Sequence, residues 1–108
     1  MATKNTQPNI PSSRSLTART KDLIPSSFYL VGCEWTVKFV EDLGDYGSCD
    51  CSTHIIRLRE GMNKVFTEQT FYHELVHAVM FSMGHGNHDE VFVDAFGALL
   101  HQYERTKK

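Results

Sequence analysis

The chain has 108 residues, a length that suits one domain with a modest core rather than two. Apolar residues make up 41% and charged residues 22%, ordinary proportions for a globular protein, and a formal net charge of −2 offers no basic excess to attract nucleic acid. No apolar run approaches the roughly 20 residues that cross a bilayer and no apolar signal core opens the chain, so a cytoplasmic protein without membrane association is expected.

Residues 1–22 are rich in Ser, Thr, Asn and Pro and carry Lys4, Arg14, Arg19 and Lys21 before the first acid, Asp22. Such a segment buries too little apolar surface to order itself. It reads as a flexible basic tail with room for one short helix near Leu16 to Leu23, ahead of a folded domain over 23–108. Pro8 and Pro11 argue against the amphipathic helix of an organelle transit peptide.

The folded part opens near Ile24-Pro25. Trp35, Val37 and Phe39 alternate with Thr36 and Lys38, the period of a half-buried strand. Glu41 to Gly47 holds two glycines and two aspartates, the composition of a turn. Two more strands are expected around Gly47 to Cys51 and His54 to Arg59, joined by a tight turn near Ser52-Thr53. Cys33, Cys49 and Cys51 are an odd count, which points to free thiols in a reducing compartment. Cys49 and Cys51 would share a strand face, but two thiols make only half a zinc site.

The period then changes. Thr67 suits a helix N-cap, with Glu68 in the first turn and Phe66 and Phe71 as a hydrophobic staple. Phe71, Leu75, Val79 and Ser82 trace one face, and Gly84 stops the helix. Asn87 would cap a second helix to about Glu104, with Phe92, Phe96, Leu99 and Tyr103 as its core stripe. Strands followed by helices give an α+β class: a short, mainly antiparallel three-stranded sheet, then two helices.

The chemistry concentrates in His73-Glu74-Leu75-Val76-His77. Histidines four apart lie one turn apart on one helix face, so both imidazoles can meet one ion. Glu74 flanks that face, where it can reach a water without being a ligand. Zinc brings the pKa of a bound water towards about 7, and a neighbouring carboxylate can take the proton. A solvated helix face is the bland alternative, but Leu75, Val76, Ala78, Val79 and Met80 leave little polar surface for one.

A catalytic zinc takes three protein ligands and leaves one position open. Glu90 is the first choice for the third, since a helical hairpin would return it to the first helix. Asp94, one turn on, would accept a hydrogen bond from a ligand histidine. Asn87 and Glu90 also fit a capping box in which Glu90 serves only the backbone. His85, His88 and Asp89 are rivals for the third position. His88, His85 and Tyr46 are candidates for contacts to an oxyanion or substrate. His54 and His101 read as surface or satisfied core histidines. The longer metzincin pattern requires Gly at 80 and His at 83, and both positions are Met.

The run Phe71-Tyr72-His73-Glu74-Leu75-Val76-His77-Ala78, followed by Glu90-Val91-Phe92-Val93-Asp94-Ala95-Phe96, resembles the small single-domain gluzincins. These include ImmA/IrrE-type metallopeptidases and related phage-encoded zincins. The resemblance covers residues 30 to 104. It implies a minimal zincin-like fold, His73, His77 and Glu90 as metal ligands, Glu74 as general base and Asp94 behind a ligand. It also suggests a phage origin and a host cytoplasm. Members of the ImmA/IrrE type often carry a further DNA-binding or sensor domain, for which this chain has no room, so no substrate is implied.

The leading expectation is therefore a Zn2+-dependent peptidase acting on a flexible protein segment. The strand over 54–59, if it lies at the sheet edge, would pair with an extended substrate. The alternative is a zincin-fold interaction module that keeps its metal without turnover. A DNA-directed nuclease or repair protease is disfavoured by the acidic balance.

Overall fold

The computed structural model describes residues 23–108. The expected tail at 1–22, with most of its short helix, lies outside them. Four strands and two helices follow in order: β1 (Ser27–Leu30), β2 (Cys33–Val40), β3 (Gly47–Asp50), β4 (Ile55–Arg59), α1 (Lys64–Ser82) and α2 (Glu90–Thr106). The α+β class stands, with two corrections to the sheet.

The sheet has four strands in the order β1-β2-β4-β3, not three. β1 pairs antiparallel with β2 through a tight turn at Val31-Gly32, whose φ values of 51° and 78° are those of a type I′ hairpin. The central pairing is parallel, from Thr36↔Ile55 to Val40↔Arg59, and β3 pairs antiparallel with β4. The strand over 55–59 is therefore interior, and β3 is the rim strand on its side, with β1 at the opposite edge. The turn after β3 is held by Asp50, whose Oδ1 accepts from the Ser52 and Thr53 amides at 3.0 and 3.3 Å and from the Ser52 hydroxyl at 2.7 Å.

Strand alternation points Trp35, Val37, Ile56 and Leu58 at α1, where they bury Phe71, Tyr72 and Ala78. Phe28 of β1 extends this core, with its ring parallel to Trp35 and edge-on to Phe71. Phe39 leaves the expected alternation and is half exposed.

α1 begins one turn earlier than expected. Asn63 is its cap, with Oδ1 accepting from the Phe66 amide at 2.8 Å. Thr67 sits inside the helix and donates its hydroxyl to the Asn63 carbonyl at 2.8 Å. Glu68 is accordingly not in the first turn. It is buried and accepts from His101 Nε2 at 2.9 Å and Arg105 Nη1 at 2.8 Å, joining α1 to α2. Gly84 ends α1 as expected, at φ 91°. The Gly84 amide bonds the Phe81 carbonyl and the His85 amide bonds the Met80 carbonyl, each at 2.9 Å, which is a Schellman turn.

α2 is capped by Asp89, not Asn87, with Oδ1 accepting from the Val91 amide at 3.0 Å. That removes the capping box and frees the Glu90 side chain. The buried face of α2 is Val93, Gly97 and His101, with Leu100 partly buried. Phe92, Phe96, Leu99 and Tyr103, expected as its core, are 49%, 46%, 64% and 59% exposed. They follow a correct helical spacing about a quarter turn away from the face that α1 covers.

Candidate metal centre

α1 lies between the sheet and α2, and this decides what each of its turns meets. Phe71, Tyr72 and Ala78 pack into the core against the sheet, while His73 and His77, one turn apart, face the start of α2. Gly97 permits the approach: a Cβ there would stand 3.1 Å from His73 Cα and 3.2 Å from its amide nitrogen.

Glu90, the first residue of α2, reaches both histidines. Its Oε1 is 3.3 Å from His73 Nε2 and its Oε2 is 3.2 Å from His77 Nε2. One ligand atom from each of the three residues lies within 4.8 Å of the others, so the group can hold a metal ion. Donors bonded at 2.0–2.2 Å around a tetrahedral zinc stand roughly 3.3–3.6 Å apart. The two Glu90 contacts, made by different carboxylate oxygens, lie at 3.3 Å and 3.2 Å, at and just below the lower end of that range, and the donor set of two imidazoles and a carboxylate suits zinc among other divalent ions.

The outer nitrogens are also engaged. His73 Nδ1 lies 3.0 Å from Asp94 Oδ1. A carboxylate there holds the proton on Nδ1 and leaves Nε2 as a lone pair. His77 Nδ1 lies 2.7 Å from His88 Nδ1, and His88 Nε2 lies 2.7 Å from the His85 carbonyl. Burial holds His77 below the ordinary imidazole range and favours its neutral, ligating form.

Glu74 is buried on the sheet side of the same turn. Burial pushes its carboxyl up to about 7; His73 opposes that shift, and Glu90 and Asp45 add to it. β3 closes over it: a Cβ on Gly47 would lie 3.3 Å from Glu74 Cγ and 2.6 Å from Thr70 Cγ2. A cleft of about 910 Å3 opens beside this turn, reaching His73, Glu74, Tyr46, Gly47, Thr70 and Asp94.

The structure thus brings together His73, His77, Glu90, Asp94 and Glu74. Of the three residues expected at an oxyanion or substrate, only Tyr46 lines the cleft. Its ring packs edge-on against Phe66 and lies under the Arg59 guanidinium, 4.9 Å from the ring centre. His88 has both ring nitrogens committed, and His85 supplies a backbone carbonyl. Neither histidine stands in the third ligand position. His101 is a satisfied core histidine, and His54 packs against Trp35 with ring centres 4.7 Å apart. Sequence reasoning missed Gly97 and Gly47, because a glycine that admits a neighbouring backbone looks like any other until the packing is known.

Among the described residues no helix is long and apolar enough to cross a membrane, and the three cysteines are free. The Sγ atoms of Cys49 and Cys51 are 3.9 Å apart, and burial raises the Cys49 thiol above its ordinary value. Comparison with protein-family models, with curated proteins and with solved structures finds no match to this chain.

Proposed function

We propose that the chain is a zinc-dependent peptidase of gluzincin type that hydrolyses peptide bonds in flexible protein segments, and that it works in a cytoplasm. The reading is carried by one observation: a buried carboxylate, Glu74, beside a cleft and next to a His73–His77–Glu90 group of metal-ligating geometry. A metal that was only structural would need no such carboxylate.

His73, His77 and Glu90 would hold the zinc, which would supply Lewis acidity to a carbonyl and to water. Glu74 accepts the proton of the attacking water. In the metal-free chain burial raises its carboxyl to about 7; a divalent cation beside it would lower that value and favour the carboxylate that takes this proton and later returns it to the leaving amine. Asp94 keeps His73 in its ligating tautomer. The rim strand β3, rather than β4, offers the edge along which an extended substrate would pair, with Tyr46 at its start.

The exposed Phe92, Phe96, Leu99 and Tyr103 favour a second reading, a metal-holding module that docks a partner without turnover. Glu74→Gln separates the two. Zinc content of the purified protein and cleavage of an unfolded protein are measured in both forms. The peptidase reading expects one zinc per chain in each and cleavage only in the wild type. Equal cleavage in both forms, or none by the zinc-loaded wild type across a panel of unfolded proteins, would refute it.

A further inference from the structure

The two ligand histidines are backed by different chemistry. Behind His73 stands a carboxylate, Asp94, at 3.0 Å. Behind His77 stands another imidazole, His88, at 2.7 Å, and behind that a backbone carbonyl, that of His85, also at 2.7 Å.

The carbonyl can only accept, so His88 Nε2 carries a hydrogen and donates it. In a neutral ring the other nitrogen, Nδ1, is then an acceptor. The partner facing it, His77 Nδ1, must therefore donate. That leaves His77 Nε2 as a bare lone pair, and this is the atom 3.2 Å from Glu90. The ring planes of His77 and His88 are 20° apart with centres at 4.9 Å, roughly the bond length plus two ring radii. The rings thus lie side by side, as an in-plane N–H···N bond requires. The origin of the chain is fixed too. The Schellman turn at Gly84 holds the His85 amide on Met80 and so places the carbonyl that begins the sequence.

We propose that His88 is a positioning residue, part of a relay from the His85 carbonyl through His88 to His77 that locks His77 as its Nδ1–H tautomer and aims Nε2 at a divalent cation. The cation part rests on the peptidase reading above. The tautomer part does not: it is decided in the metal-free chain, where the Glu90 carboxylate 3.2 Å from His77 Nε2 competes with the relay for the proton. A carboxylate behind both histidines would place two negative charges near the ion. With an imidazole behind one, the cluster keeps its tautomers at lower negative charge.

Long-range proton–nitrogen correlation spectra of the metal-free chain, labelled with 15N-histidine, read the tautomers directly at about pH 9, where free imidazoles are neutral. His77 is expected as Nδ1–H and His88 as Nε2–H; His77 found as Nε2–H overturns the relay. Two variants then separate tautomer control from packing, with zinc affinity measured by chelator competition. His88→Phe keeps a flat ring and loses the acceptor; His88→Asn loses the ring and keeps an acceptor near the Nδ1 position. The relay expects zinc binding about 10–100-fold weaker in the Phe variant and within about 3-fold of wild type in the Asn variant. The reverse order would show that His88 only fills space. A wild-type chain that binds no zinc would sink the metal reading, and the nitrogen spectrum would still decide the tautomer.

Discussion

Gly97 of α2 rests directly on the backbone of His73 of α1, so close that a single added carbon would stand 3.1 Å from His73 Cα and 3.3 Å from the Tyr72 carbonyl oxygen. Backbone cannot swing aside as a side chain can. The spacing of the helices, and with it the reach of Glu90 to the two imidazoles, is therefore set at this contact.

Gly97→Ala is expected to push α2 outward. Overpacking of this kind costs about 1–3 kcal/mol, less whatever the better helix propensity of Ala returns. Denaturant midpoints should show the loss, and zinc affinity should fall with it. Gly86→Ala is the control, because nothing lies within 4 Å of a Cβ there. Equal zinc affinity in the Gly97 variant would show that the contact does not set the metal geometry.

Asp94→Ala removes the acceptor from His73 Nδ1 and frees the ring to take its other tautomer. Zinc affinity is expected to fall about 10–100-fold, with Asp94→Asn in between because its amide oxygen still accepts. Asp94 is otherwise exposed, so folding stability should hardly change. A large change in unfolding midpoint with unaltered zinc binding would contradict the assignment.

Glu74 makes the metal-free fold sensitive to pH. Its carboxyl is raised from an ordinary 4.5 to about 7, so the folded state favours the neutral form more strongly than the unfolded chain does. The stability this group contributes is full below about 4.5 and is lost as pH rises through about 7. Glu74→Gln, which stays neutral, should match the wild type in acid. Above pH 7 the metal-free variant should be more stable, by on the order of 2 kcal/mol. Parallel stability curves for the two proteins from pH 4 to 8 would contradict this.

His101→Leu takes a partner from Glu68, whose Oε2 has no hydrogen-bond partner among the described residues. An under-compensated buried carboxylate of this kind costs about 3 kcal/mol. Adding Glu68→Leu should recover most of that loss, since an apolar pair of similar size needs no charge compensation and Arg105 can turn to solvent. Thermal or chemical unfolding of the single and double variants measures both steps.

Where the sequence was legible, the signal was local. His73 and His77 share a helix, so their spacing alone places them on one face. Gly84 stops α1 because only its own φ matters. Longer-range features were harder to read. β1 was missed because it is four residues long and its turn is Val31-Gly32, without the Asn or Asp that usually marks such a turn. Nothing local reveals that β2 pairs in parallel with β4 and that β3 falls outside it. Thr67 and Asn87 looked like caps, yet Asn63 and Asp89 hold those positions. The stripe on α2 showed its period correctly and its direction not at all, because direction depends on where Gly97 lets the helix settle. Glu68 read as a first-turn acid, and only its partners 33 and 37 residues away reveal it as a buried hub.

The placement of β3 has a consequence for the order in which the protein can be made. Among the described strands its only partner is β4, which is synthesised later. Residues 47–50 must therefore emerge from the ribosome with nothing to lie against, and they gain a neighbour only after Arg59 has followed. Glu90 arrives later again. A growing chain that already displays both histidines has made all four strands but still lacks Glu90, and the cluster stays incomplete until α2 has been translated and has folded back.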